Sequence, residues 1–244
     1  MHASNMSFFI RGLSIDWEAV SASSYVRSIP AIATLDELEF TTPVTLFSGE
    51  NGSGKSTLLE AIAVAYGFNP EGGTRNYRFT VHDDTSGLAD AVHLTRGAVV
   101  PRRGFFFRAE TFFNTALANL TEYRAGARDF VDFFEMSHGE SFLAFIEKET
   151  VADIFIMDEP EAALSPQRQL DLMLHIRRME KLGAQFIIAT HSPILLGYPG
   201  AQILSFDGRI HECEYEDTGA YQITNLFLTQ RERLLDELMR ELDD

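Results

Sequence analysis

Cysteine is almost missing from this chain: among 244 residues only Cys213 occurs. A single thiol excludes an internal disulfide, and without a CxxC pair or a Cys/His cluster no zinc site is expected, so the chain reads as one from a reducing compartment, the cytoplasm. Long apolar runs are also missing. No window approaches 18 consecutive apolar residues, and the opening MHASNMSFFIRG lacks the basic, apolar and small-residue zones of a signal peptide. A soluble protein with no stable membrane association is therefore expected. Basic residues are scarce, 20 Lys and Arg against 36 Asp and Glu, for a net charge of −16. The excess acid sits in the second half, with net −3 over residues 1–130 and −13 over residues 131–244. Because affinity for nucleic acid comes largely from cations on phosphates, this balance speaks against broad DNA binding. Arg96, Arg102, Arg103 and Arg108 form the only basic cluster, read as a solvated rim around VVPRRG, with a local basic patch as the alternative.

What is present is core material. Hydrophobic residues make up 45% and aromatics 11%, enough for one large domain or a domain with a small subdomain. Residues 8–13, 25–29 and 35–40 carry short mixed or alternating apolar patterns and predict strands of an antiparallel layer. VTLFS at 44–48, GFFFR at 104–108 and DIFIMD at 153–158 are continuous apolar runs of the kind a strand buried on both faces requires, and QFIIAT reads the same way. Helices are predicted over 56–68, from about 109 to 122, over 142–149, and over 166–183, with Gly67 and Gly183 closing the first and last of these. Between 69 and 103, Gly, Asp, Thr and Pro predict loops and hairpin strands, without a domain boundary. AQILSFDGRIHECEY predicts a hairpin turning at Asp207-Gly208. In the tail, Leu226, Leu228, Leu234, Leu235, Leu238 and Leu242 predict a helix packed by one face. Strands alternating with helices imply an α/β fold, a parallel sheet covered on both sides.

The stretch GENGSGKST, residues 49–57, fits GxxxxGK[ST] through Gly49, Gly54, Lys55 and Ser56, with a strand before it and a helix after it. Glycines let backbone N–H groups of Glu50, Asn51, Gly52, Ser53 and Gly54 curl round phosphate oxygens. The helix start, through Lys55, Ser56 and Thr57, adds its partial positive charge. Lys55 reaches the outer phosphates and the Ser56 hydroxyl can ligate Mg²⁺. A second piece of the same chemistry ends a strand: in IFIMDEP, Asp158 is placed to hold Mg²⁺ through water, and Glu159, pointing the other way along the pleat, to polarise an attacking water. ATP with Mg²⁺ is the expected substrate. Ser137 and Gly139, in SHGE, open a further helix whose hydroxyl and free N–H groups make an anion site; a plain capping box of Ser137 with Glu140 is the bland alternative.

Four segments in order, GENGSGKST, MSHGES (136–141), IFIMDEPEAALSP (154–166) and IIATHSP (187–193), resemble the phosphate loop, signature, Walker B with D-loop, and switch histidine of the ABC-type ATPases. The resemblance implies a three-layer P-loop NTPase fold, the ABC-ATPase head, with an antiparallel β subdomain and a small helical lobe at about 105–150, all one domain over 1–244. It also implies a head-to-tail dimer in which Ser137 and Gly139 of one copy meet the γ-phosphate of ATP held by the Lys55 loop of the other. His191 then reads that phosphate, and residues 163–165 cross the interface. The family usually carries a metal-linked Gln between loop and signature; none lies between Thr57 and Met136, and Glu110, with Arg108 beside it, takes that place by position. Tyr25 and Arg27 stand where an adenine or phosphate contact could lie, with plain packing of the Tyr in an edge strand the favoured alternative. MSHGES and DEPEAALSP are more similar to the soluble RecF/SMC-like group than to transporter cassettes. About 80 residues between Thr57 and Ser137 leave no room for a coiled-coil arm, and about 50 after the histidine none for a nuclease domain. A stand-alone ATPase acting on a DNA or protein client is expected, with a nucleotide-gated binding module or a transporter's energy subunit as alternatives.

Overall fold

The computed structural model describes residues 8–74, 87–99, 103–109, 111 and 154–243. The expected helical lobe and the helices at 109–122 and 142–149 fall almost entirely outside them. The first layer is a small antiparallel sheet in which β1 (Ile10–Ile15) pairs with β2 (Glu37–Glu39) on one side and β5 (Val92–Arg96) on the other. The second is a seven-stranded sheet. Its middle is parallel, with β9 (Gln202–Ser205), β3 (Val44–Ser48), β8 (Gln185–Ala189), β7 (Ile154–Asp158) and β6 (Gly104–Arg108) side by side. Two short strands close its edges antiparallel, β10 (His211–Glu212) on β9 and β4 (Gly73–Thr74) on β6.

Continuous apolar runs in the parallel strands have the consequence expected of them: both faces are covered. Alternate residues of β6, β7 and β8 turn to opposite sides. Phe106, Ile154, Ile156 and Ile187 pack with α2 (Lys55–Tyr66) and the antiparallel layer. Phe105, Phe155, Met157, Phe186 and Ile188 pack with α4 (Pro166–Lys181) and α5 (Pro193–Leu196). Two further single-turn helices are α1 (Pro30–Ala33) and α3 (Leu88–Ala91). The layers are also bonded. Gln185, buried at the head of β8, accepts the N–H of Phe9 and of Ile10, each at 2.9 Å, and donates to the Ile10 carbonyl at 2.7 Å.

Three expectations change. Residues 25–29 are not a strand: Tyr25–Ser28 form a 3₁₀ turn that leads into α1, because Pro30 cannot donate to a ladder but suits the first position of a helix. Tyr25 is consequently exposed rather than packed, and Arg27 stacks on Trp17 and bonds the carbonyls of Trp17, Val20 and Ser21. Of the basic cluster, Arg96 and Arg103 are exposed as a solvated rim requires, but Arg108 turns inward onto Glu60, and Arg102 lies outside the described residues. Third, the tail does form a helix, α6 (Gly219–Asp243), broken by non-helical backbone at Gln230, but none of its described side chains is buried, and Ile223, Leu228 and Leu238 stand exposed. Its apolar stripe is covered only in part: Ala220 packs on the core, Tyr221 meets Tyr215, and Leu226, Leu234 and Leu235 are half-buried.

Candidate nucleotide site

Three neighbouring parallel strands end at the same edge of the sheet, β3 in the glycine loop, β7 in Asp158-Glu159 and β8 in Thr190-His191, with β8 in the middle. In open α/β sheets this carboxyl edge is where ligands bind. The loop from Gly49 to Gly54 leaves β3 and opens α2. Gly49, Gly52 and Gly54 all have positive φ, which lets successive amides face inward, and Gly54 is tightest of the three. A Cβ there would come within 2.7 Å of Ile29 and 2.9 Å of Ile32. Gly54→Ala should therefore lower stability by roughly 1–3 kcal/mol from the left-handed backbone alone, with the clash added, readable as a lower Tm.

Lys55 is buried at the helix start, its Nζ donating to the carbonyls of Gly49 at 2.7 Å and Glu50 at 3.0 Å. Burial lowers its pKa, and the nearby carboxylates of Glu159, Asp158, Glu50 and Glu161 pull it back up. Those carbonyls hold the ammonium at the mouth of the loop. Ser56, next along, donates its hydroxyl to Asp158 Oδ1 at 2.8 Å. The sequence separates these two residues by 102 positions, and the sheet brings together the oxygens assigned to Mg²⁺ by motif. The donor set fits that ion: a hydroxyl and a carboxylate are hard oxygen donors held 2.8 Å apart, and Mg²⁺ arriving with phosphates needs only one or two protein oxygens. Glu110, the third residue assigned to the metal, lies outside the described residues, as do Ser137 and Gly139. Arg108 is placed: it bonds Glu60 at 2.5 Å and the Pro70 carbonyl at 3.1 Å, and its Nε stands 3.9 Å from Asp158 Oδ2.

Glu159 reaches the site by a different route from the pleat. Its backbone is left-handed, with φ 48°, the only positive φ outside glycine among the described residues, and it caps the 3₁₀ turn Pro160–Ala163. Such backbone costs about 1–3 kcal/mol and clusters at functional sites. Its N–H is held by the Ala189 carbonyl at 2.9 Å, and its Oε1 lies 3.4 Å from His191 Nε2. Lysine, serine, two carboxylates and a histidine thus converge on one edge. Two residues that motif reading missed complete the surroundings. Glu161 accepts the N–H of His191 at 2.6 Å and of Ser192 at 3.2 Å, and Gln169 bonds the Ser192 hydroxyl at 2.5 Å. No spacing rule signals them, because they act across 23 to 31 residues of chain.

Comparisons with known proteins agree with this geometry. A family model described as "AAA domain" matches residues 25–99, and one described as "AAA domain, putative AbiEii toxin, Type IV TA system" matches residues 93–197. Among curated proteins the chain is 27% identical over 164 residues to a ribose import ATP-binding protein of Halalkalibacterium halodurans, a match spanning 59% of this chain and 33% of the relative. The chain thus spans about a third of that relative's length. Among solved structures it is similar to cbiO1 of Clostridium perfringens, part of the ABC transporter complex cbiONQ. The TM-score is 0.50 at 17% identity, over 96% of this chain and 99% of that one. The SMC head domain from Thermotoga maritima matches at TM-score 0.47 and 16% identity, over 84% and 99%. By its family models the chain is similar to AAA-type ATPase domains over residues 25–197, and its fold is that of an ABC-type ATP-binding cassette.

Proposed function

We infer that this chain is a Mg²⁺-dependent ATPase that closes on its nucleotide as a head-to-tail pair and drives a change of shape in a DNA or protein client. One observation carries the reading: the Ser56–Asp158 bond fixes a metal-ready oxygen pair beneath the glycine loop, while Glu159 and His191, 3.4 Å apart, stand at the ends of the two adjacent strands. In this reading the loop amides and Lys55 take the phosphates, Ser56 and Asp158 hold Mg²⁺, and Glu159 accepts a proton from the attacking water. His191 shares its side chain with Glu159 and senses the outer phosphate. Mg²⁺ supplies charge neutralisation on the phosphate oxygens. The positions of Glu110, Ser137 and Gly139 rest on the family resemblance, as does the single domain over 1–244 with its lobe at about 105–150.

Pairing has a physical motive. The cleft beside the loop, bounded by Gly49, Glu50, Thr190, His191 and, on α6, Gly219 and Ile223, measures about 270 Å³. Among the described residues the phosphates are met from one side only, and a second copy bringing its Ser137 helix start supplies the other. The names of the importer and the SMC head belong to those proteins; the client of this chain is to be found by pull-down.

Phosphate release with Mg²⁺·ATP tests the enzyme directly, with Lys55→Met as its control. Losing a charge-assisted bond to phosphate, worth about 1.5–3 kcal/mol, should weaken nucleotide binding roughly 10- to 100-fold. Fluorescent-nucleotide titration of the variant within twofold of the parent chain rules this site out.

A further inference from the structure

Glu161 and Gln169 are given no part in the nucleotide reading above, yet both reach residues 191–192. Glu161 Oε1 takes both the His191 and Ser192 amides. Gln169, buried on α4, meets the Ser192 hydroxyl with its Oε1 and donates its Nε2 hydrogen to the Leu164 carbonyl at 3.2 Å. Ser192 in turn caps α5, its hydroxyl accepting from the Ile194 and Leu195 amides. The second oxygen of Glu161 is buried and takes no hydrogen bond among the described residues. A buried carboxylate oxygen left without a partner costs stability, so Glu161 is poorly explained as packing. What it provides is a connection: the loop bearing His191 and the turn at residues 161–164 are tied through two side chains, Glu161 and Gln169.

We propose that Glu161 and Gln169 are positioning residues forming a brace that transmits the nucleotide state of the His191 loop to residues 161–165, the segment that leaves the site towards a partner copy. This rests on the reading of His191 as the phosphate sensor. When a phosphate draws His191 forward, the amides of 191 and 192 pull on the Glu161 carboxylate while Ser192 pulls on Gln169 and, through it, on the Leu164 carbonyl. The strand ends are already joined by the Glu159 N–H on the Ala189 carbonyl; beyond that bond, Glu161 and Gln169 link residues 191–192 to the turn directly, where the chain between Glu161 and His191 runs through 30 residues.

Hydrogen exchange read by mass spectrometry tests it on the full chain, with and without Mg²⁺·ATP, in the Glu159→Gln background so that nucleotide stays bound. Four versions are compared: that parent, and the parent carrying His191→Ala, Glu161→Ala together with Gln169→Met, or Glu161→Gln. In the parent, ATP should slow exchange at least threefold both in residues 189–193 and in residues 161–165. In the brace double variant the first response should persist and the second fall below 1.5-fold; Gln169→Met keeps the buried volume. Glu161→Gln retains an acceptor oxygen and should restore more than half of the second response. A response at 161–165 that survives the double variant overturns the brace alone. Absence of any ATP response at 189–193 in the parent, or one unchanged by His191→Ala, overturns the reading of the sensor and the brace with it. Should the double variant melt below the assay temperature, Gln169→Met by itself is used; a second response that stays above half the parent's then overturns the brace.

Discussion

Glu159→Gln is expected to lower the rate of phosphate release by about 10²–10⁴-fold, the usual contribution of a positioned general base, while leaving ATP bound. The amide keeps the size and most of the contacts of the carboxylate but cannot take a proton from water. Its neighbours argue that binding survives: Lys55, Ser56 and Asp158 are bonded to the loop and to one another rather than to Glu159. Removing one negative charge beside Lys55 should, if anything, favour a triphosphate. With hydrolysis stopped and the nucleotide retained, the variant should run at twice the monomer mass on light scattering with Mg²⁺·ATP, and at monomer mass without it. A variant that stays monomeric with ATP shown to be bound removes the paired arrangement from the account; one that hydrolyses within threefold of the parent removes Glu159 as base.

Phe155→Ala should be the most costly single change to the fold. Phe155 is fully buried in the centre of β7 and stacks on Phe186 of β8, with ring centroids 4.6 Å apart and planes 4° from parallel. Truncation removes the side chain and leaves a cavity between sheet and α4 that close-packed neighbours fill only in part, at about 3–5 kcal/mol. For a chain of this size that corresponds to a fall in Tm of roughly 10 °C. Phe227→Ala on exposed α6 is the matched control, expected within about 0.5 kcal/mol of the parent. Equal losses for the two would mean that α6 is covered at Phe227 after all.

The parallel strands were legible because burial on both faces leaves an uninterrupted apolar run, as VTLFS and GFFFR show, and the glycine loop because its chemistry tolerates few substitutes. Residues 25–29 failed for a local reason: YVRSI has strand-like composition, but the Pro30 that follows starts a helix and decides the outcome. Glu159 lies at the strand end, but not along the pleat, since alternation cannot anticipate a left-handed residue. The α6 tail forms its helix, but its apolar face is only half covered. Helical periodicity shows that an apolar stripe exists, not that something packs on it. Glu161, Gln169 and the inward turn of Arg108 were invisible because each is a contact between segments far apart in sequence, and no spacing rule reaches across a sheet.

The placement of β3 bears on how the molecule is made. Both of its partners, β8 and β9, come from residues 185–205, so the strand that launches the glycine loop has no neighbour until most of the polypeptide exists. The early antiparallel layer waits likewise for the amide of Gln185. During synthesis β1, β2 and β5 can pair among themselves and β6 with β4, but β3 leaves the ribosome unpaired and closure of the parallel sheet comes late and from distant parts of the chain, the kind of topology that folds slowly. A prematurely terminated product retains the whole phosphate-loop motif in its sequence and has no sheet on which to display it.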